Sequence, residues 1–127
     1  MDEVQKRELI DRYIAAYNHF DVDGMMDVVT GDVTFESVSD GQVTEASSGL
    51  DGLRELAGQS ATMFTERQRT VTDVRYEGDR AIATVAFRGT LAADMPGGPT
   101  AGQTVELTGQ TEFTFADGLI SGIVDRS

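Results

Sequence analysis

Apolar side chains recur in steps of three and four through the first twenty residues of the chain. They stand at Leu9, Tyr13, Tyr17 and Phe20, with Ile10 and Ile14 beside them. This spacing places the side chains along one side of an α-helix. The pattern therefore predicts a long first helix, running from Glu3 to Phe20, that presents an aromatic stripe to the core.

Two further helices are predicted before residue 65. A short one runs from Met25 to Val29, with Asp21 or Asp23 as its N-cap, and Gly31 ends it. The other follows Gly52, is weakened by its own glycine at position 58, and carries Leu53, Leu56, Ala57, Ala61 and Phe64.

The rest of the chain has the composition of β-strands. β-Branched and aromatic residues dominate six segments, at residues 33–38, 43–46, 67–76, 81–92, 104–115 and 119–126. Short polar turns separate most of them, and we expect Gly89, Gly109 and Gly122 to mark bulges or bends. Helices followed by an antiparallel meander predict one α+β domain spanning residues 1–127, with a strongly curved sheet wrapped on the first helix.

Composition excludes several classes of partner. The chain has 10 basic and 22 acidic residues, a formal net charge of −12, which repels nucleic acids and anionic membranes. It has no cysteine and one histidine, so we expect no metal and no cofactor. The polar stretch from Met1 to Glu8 lacks the apolar segment of a signal peptide, which favours a cytoplasmic protein.

Three segments carry a resemblance to a known superfamily. They are residues 12–18 (RYIAAYN), residues 21–24 (DVDG) and residues 31–36 (GDVTFE), and a final DGLI at 117–120 adds to them. Together they resemble the bacterial ketosteroid isomerases, the wider SnoaL-like polyketide cyclases and nuclear transport factor 2. The resemblance implies a cystatin-like cone, with the N-terminal helices packed on a curved, mostly antiparallel sheet that encloses an apolar pocket.

The resemblance also assigns roles to particular positions. Tyr13 stands where the isomerases have the tyrosine that donates to the dienolate oxygen. Ser37 replaces their catalytic base and Thr111 replaces their second donor, a protonated aspartate, so ketosteroid isomerase activity is not expected. Asp125 matches the acid/base aspartate on the last strand of SnoaL-like cyclases and limonene epoxide hydrolases. The arginine and second aspartate of the hydrolases have no counterpart in residues 84–87.

Strand alternation then predicts the wall of the pocket. Residues two apart share a face of a strand, so Thr111 and Phe113 point the same way, as do Ile123 and Asp125. If these side chains face inward, the ligand-binding wall comprises Tyr17, Phe35, Ser37, Val85, Phe87, Thr111, Phe113 and Ile123, with Tyr13 and Asp125 as the catalytic pair.

Several side chains admit a plainer interpretation. Asp125 is either a carboxylate on an apolar wall or a solvated residue near the C-terminus. Tyr13 is either a pocket donor or a core tyrosine. His19 is expected at the surface or as a helix cap. Glu106, Glu112 and Asp73 are expected to face solvent, as are Arg69, Arg75 and Arg88.

Two functions remain open. One is an enzyme acting by acid/base chemistry at or next to a carbonyl, as an isomerase, cyclase or lyase on a small apolar molecule. The other is a non-catalytic ligand-binding or assembly module of the same fold. In both cases a homodimer is expected, because Val74, Ile82, Ile120 and Val124 would otherwise leave one face of the sheet exposed.

Overall fold

The first helix, α1, spans Glu3–Asn18 in the computed structural model, which describes residues 1–127. A capping box begins it, because the Asp2 side chain accepts from the Gln5 amide and the Gln5 side chain accepts from the Asp2 amide. Its predicted stripe faces inward, with Tyr13 and Tyr17 only 3% and 5% exposed. The helix is thus held by its cap and by burial of one face.

The second helix, α2, begins and ends three residues earlier than predicted and spans Val22–Met26. Asp21 is its N-cap and accepts from the Gly24 amide at 2.9 Å. The prediction that Gly31 ends this helix is wrong, since strand β1 already begins at Val29. The carbonyl oxygen of Val28 accepts from the Ile120 amide, which ties the chain to the last strand before it could extend the helix.

Six strands form one sheet, in the order β2-β1-β6-β5-β4-β3. All neighbouring pairs are antiparallel except β1 and β6, which are parallel. The strands are β1 Val29–Ser39, β2 Gln42–Ser48, β3 Phe64–Glu77, β4 Arg80–Leu91, β5 Thr104–Ala116 and β6 Leu119–Arg126.

The third helix, α3, spans Gly49–Thr62 and packs against β1, β2 and β3. It buries Leu53 and Ala57. Phe64, predicted to lie in this helix, instead begins β3, where its ring meets Phe87 edge-to-face at 5.3 Å. No helix of the fold is long and apolar enough to cross a lipid bilayer.

Two bulges change which side chains face the helices. In β3 the register shifts between Val71 and Asp73, and next to β6 it shifts between Thr114 and Phe115. An extra residue in a strand moves the following side chains to the other face. As a result Val74 packs against the core and Ile120 is fully buried within it, so their predicted place on the outer face is wrong.

Gly109 lets the last strand lie close to β5. Its pairing with Val85 is regular, so it marks no bulge, but an added Cβ would collide with the carbonyl oxygen of Arg126. We expect Gly109→Ala to lower the free energy of unfolding by about 1–3 kcal/mol, because the collision is with backbone. Urea denaturation measures the change.

Gly58 provides the matched control for that substitution. It lies inside α3 with nothing within 4 Å of an added Cβ. Gly58→Ala should therefore raise the free energy of unfolding by about 0.5–1 kcal/mol. Equal effects of the two alanines would contradict the proposed close approach at Gly109.

Candidate functional site

An ion pair connects strands β3 and β6 on the face of the sheet that the helices cover. Arg69 of β3 donates from Nη2 to Oδ2 of Asp125 in β6 at 3.3 Å, and the Thr111 hydroxyl of β5 donates to Oδ1 at 2.8 Å. The side chains of Arg69 and Asp125 are only 19% and 20% exposed. The prediction that Arg69 faces solvent is therefore wrong, and Asp125 lies on the inner face with both carboxylate oxygens accepting hydrogen bonds.

Tyr13 lies on the same inner side, on α1. Its ring meets Phe113 edge-to-face at 6.1 Å, which fixes its position. Burial, and then the nearby charge of Asp125, raises the pKa of Tyr13 above its ordinary value. The phenol thus stays protonated at neutral pH and is available as a hydrogen-bond donor.

A stack of aromatic rings and guanidinium groups borders Tyr17. The guanidinium carbon of Arg67 lies 3.7 Å from the Tyr17 ring centre, and that of Arg69 lies 4.2 Å from it. Arg67 also lies over Phe20 at 4.5 Å and donates from Nε to the Tyr17 carbonyl at 3.0 Å. These contacts hold the end of α1 against β3.

Two hydrogen bonds of Asn18, the last residue of α1, hold the end of this helix to β3. Asn18 accepts from the Arg69 amide at 2.7 Å and donates to the Arg69 carbonyl at 3.0 Å. Phe20 adopts a left-handed φ of 56°, which is costly for a bulky residue. His19 caps α1, as expected, with Nδ1 at 2.7 Å from the Ala15 carbonyl.

Two adjoining hollows flank the ion pair. One, of about 220 Å³, lies under α3, and the other, of about 250 Å³, lies between β3, β4, β5 and the C-terminus. Both hollows are lined by Tyr17, Ser37, Ser60, Met63, Arg69 and Asp125. The Arg69–Asp125 pair therefore stands where the two hollows meet.

Most of the predicted site residues lie on these walls. Tyr13 and Phe35 line the hollow under α3, Val85, Phe87 and Thr111 line the other, and Tyr17, Ser37 and Asp125 line both. Phe113 and Ile123 do not line either hollow. They are 0% and 1% exposed and lie in the core behind the wall.

The sequence interpretation missed one whole side of the site. Helix α3 contributes Leu53, Leu56, Ala57, Gln59 and Ser60, and Met25, Glu45 and Met63 also line the hollow beneath it. The apolar spacing of Leu53, Leu56 and Ala57 predicted the helix, but spacing alone does not separate a cavity wall from a packed core. Arg67 and Arg69 were not predicted as site residues, because the bulge in β3 interrupts the alternation from which the face of each side chain is inferred.

The environment of the two arginines differs. Burial, the largest single influence, would lower the pKa of Arg69. The Asp125 carboxylate, its hydrogen bond to Arg69 and the neighbouring Tyr17 and Tyr13 together outweigh burial, so the pKa of Arg69 lies above its ordinary value. Burial, as the largest cause, lowers the pKa of Arg67, and the charge of Arg69 lowers it further.

No three His, Cys, Asp or Glu side chains are grouped as metal ligands.

The arrangement defines the class of protein. Helices packed on one face of a mostly antiparallel six-stranded sheet, with a hollow between them, confirm the predicted cystatin-like α+β cone. The chain belongs to the SnoaL-like domain family, whose model matches residues 10–123. No curated protein matches the chain in sequence.

Solved structures of similar fold cover nearly the whole chain. TsrD from Streptomyces laurentii is 22% identical, with a TM-score of 0.79, and the match covers 98% of this chain and 89% of TsrD. A candidate SnoaL-like polyketide cyclase from Jannaschia sp. CCS1 is 22% identical, with a TM-score of 0.78, covering 97% and 85% of the two chains. TerC, co-crystallised with polyporic acid, is 18% identical, with a TM-score of 0.76, covering 95% and 89%.

Proposed function

We propose that the two hollows bind one small, mainly apolar molecule and that the protein acts on it by acid/base chemistry at, or next to, a carbonyl group. The observation that carries the proposal is the position of Asp125. Its carboxylate lies between Arg69 and Thr111, on a wall that it shares with Tyr13. A carboxylate, a protonated phenol and a guanidinium facing one space are the groups that enolisation requires.

The proposed reaction begins with proton removal. The Asp125 carboxylate takes a proton from the carbon next to the substrate carbonyl, and the electron pair of the broken C–H bond moves to form an enolate. The Tyr13 hydroxyl donates a hydrogen bond to the enolate oxygen, and Arg69 offsets the negative charge. Asp125 then returns its proton to the substrate, or the enolate carbon first attacks a second carbonyl, as in a cyclisation.

The relatives support the general class of this proposal. The Jannaschia neighbour is described as a candidate polyketide cyclase, and TerC was crystallised with polyporic acid. Their low identity to this chain transfers the fold but neither a substrate nor a reaction. A cofactor is not part of the proposed chemistry, since every proton is moved by Asp125.

The alternative is a binding or assembly module without catalysis. The specific observation in its favour is that both oxygens of Asp125 already accept hydrogen bonds, as those of a purely structural ion pair would. Under this alternative a ligand occupies the hollows unchanged, or side chains from an assembly partner fill them.

Exchange of α-protons separates the two functions. The probe is 2-tetralone, a bicyclic ketone with acidic protons next to its carbonyl, dissolved in D₂O with the protein and followed by NMR. An enzyme of the proposed kind accelerates loss of the α-proton signals above the rate in buffer alone. Binding of 2-tetralone at the walls without faster exchange would favour the non-catalytic alternative.

Removing the Tyr13 hydroxyl should slow this exchange by about 100-fold, because one donor to the developing oxyanion is lost. The variant Tyr13→Phe keeps the ring and its contact with Phe113. Tyr76→Phe is the matched control, since Tyr76 lies beside the outer surface of α1, away from both hollows. We expect Tyr76→Phe to exchange 2-tetralone at the wild-type rate, and equal losses in the two variants would contradict the role given to Tyr13.

A homodimer remains part of the proposal. The outer face of the sheet presents the partly exposed Ile82 and Val124 around Glu112, which pairs with Arg80 and Arg126. Half-exposed apolar residues around a paired charge suit an isologous interface. Size-exclusion light scattering at micromolar concentration should give twice the chain mass, and a monomer would contradict the dimer.

A cytoplasmic location is likewise proposed, and the lack of cysteine is compatible with it.

A further inference from the structure

Two arginines stand on the inner side of the sheet, one on the walls of the hollows and one directly behind them. Although the chain as a whole carries −12, two of its ten basic residues, Arg67 and Arg69, point inward from β3. Arg69 pairs with Asp125, whereas Arg67 is 6% exposed and pairs with no carboxylate. Glu45 and the C-terminal residue Ser127 also line the hollows, but both are exposed to solvent. Arg67 is thus a buried positive charge without a counter-charge.

The hydrogen bonds of Arg67 are also incomplete. Its Nε donates to the Tyr17 carbonyl, and its Nη1 donates to the Ser60 hydroxyl at 3.2 Å, but its Nη2 has no acceptor. A buried charge without a counter-charge is unfavourable, and an orphaned donor adds to the cost. Ser60 lines both hollows, so the Arg67 guanidinium lies one hydrogen bond away from the space a ligand would fill.

Arg69 provides the direct contact point. It lines both hollows, and of its guanidinium N–H groups only one, on Nη2, donates to another side chain. The planar fork of a guanidinium has five donors and suits an oxygen anion better than a neutral oxygen. The aromatic rings of Tyr17, Phe87 and Phe64 form the apolar surface beside it.

We propose that the ligand is a flat, mainly apolar molecule carrying one ionised oxygen, an enolate or a carboxylate, which Arg69 binds. The inference rests on the proposed function, because it assumes that the hollows are a ligand site, and it adds the charge of the ligand. The anion offsets the unpaired positive charge of Arg67 behind the wall, and its ring lies against the aromatic surface. Asp125 stays beside the anion as the proton-transfer group.

Two pairs of probe molecules test directly whether the site prefers a negatively charged ligand. The first pair is 2-hydroxy-1,4-naphthoquinone, an enolate at neutral pH, and its neutral methyl ether, 2-methoxy-1,4-naphthoquinone. The second pair is 2-naphthoate, a carboxylate, and its methyl ester. Calorimetric titration of the wild-type protein should give tighter binding of the anion in at least one pair, and which pair shows the preference distinguishes an enolate from a carboxylate site.

The substitution Arg69→Gln then assigns the preference to one side chain. Affinity for the preferred anion should fall by about 10-fold to 100-fold, because charge-assisted hydrogen bonds are lost, while affinity for its neutral partner changes by less than about twofold. Arg88→Gln is the matched control, since Arg88 lies on the outer face beside Glu106 and should leave both affinities unchanged. Circular dichroism and the urea midpoint show whether each variant is folded.

For Asp125→Asn, the expected change in affinity for the anion has the opposite sign to that of Arg69→Gln. Removing the negative charge next to the bound anion should tighten anion binding severalfold and leave the neutral probe unaffected. Equal affinities of the wild-type protein for both members of each pair would overturn the inference while leaving the proposed function standing, if 2-tetralone still exchanges. Failure of all four probes to bind would overturn the inference, and failure of 2-tetralone to bind or exchange would overturn the proposed function itself.

Discussion

Asp125→Asn should slow α-proton exchange of 2-tetralone by about 10²-fold to 10⁴-fold, the usual contribution of a positioned general base. Asparagine keeps the size of the side chain. Its single oxygen can still accept from Arg69, and its amide N–H can donate to the Thr111 hydroxyl, so we expect the fold to persist. It cannot take a proton near neutral pH. Affinity for the neutral ketone should therefore stay within about twofold of wild type while the exchange rate falls.

The control for this substitution is Asp73→Asn. Asp73 is an exposed aspartate on the outer face of β3, opposite Thr84 of β4, and it touches neither hollow. NMR exchange rates measured at several ketone concentrations separate the effect on rate from the effect on binding. Full activity in Asp125→Asn would remove Asp125 from the mechanism and favour the binding module.

Phe113→Ala should lower the free energy of unfolding by about 3–5 kcal/mol, as loss of a fully buried aromatic ring does. Phe113 is 0% exposed, lies behind the cavity wall and supports the Tyr13 ring. A domain of this size has about 5–15 kcal/mol of stability in total, so the variant should be marginal at 25 °C. Urea denaturation followed by circular dichroism measures the loss.

A surface substitution calibrates that stability measurement. Val43 is 55% exposed on β2, so Val43→Ala should change the free energy of unfolding by no more than about 0.5 kcal/mol. If Phe113→Ala were equally mild, Phe113 would border an open space instead of a packed core, and the cavity would extend further than the walls described above.

Periodicity was sufficient to predict the elements and their order. The aromatic stripe of α1 and the β-branched runs of the sheet carry strong signals, because burial of one face decides both kinds of element. Boundaries were less certain where two signals compete. Gly31 was predicted to end the second helix and Phe64 to lie in the third, but β1 already begins at Val29, and pairing with Leu91 places Phe64 in β3.

The larger error of the sequence-based prediction concerns the face of the sheet on which a side chain lies. Simple alternation along β3 groups Arg69 with Asp73 and Arg75, which are exposed, and so places it in solvent. The bulge between Val71 and Asp73 separates the two groups, so that Arg67, Arg69 and Val71 face the helices together with Val74 and Tyr76. A bulge is set by pairing with the neighbouring strand, and no residue pattern within β3 marks it.

The site could be predicted only as far as its residues lie on regular strands. Asp125, Thr111 and Phe87 follow from alternation on β4, β5 and β6 together with the family resemblance. Arg69 and the lining from α3 depend on how the helices and strands pack in three dimensions. The charge of the cavity, on which the ligand proposal rests, could therefore not be deduced from the sequence.

A crystal structure of the protein with bound 2-hydroxy-1,4-naphthoquinone tests the ligand site most directly. We predict that the ring lies where the two hollows meet, with its ionised oxygen within hydrogen-bond distance of Arg69 and with Asp125 and Tyr13 facing the same molecule. Hollows closed by their own side chains, with the ligand bound elsewhere on the surface, would contradict it.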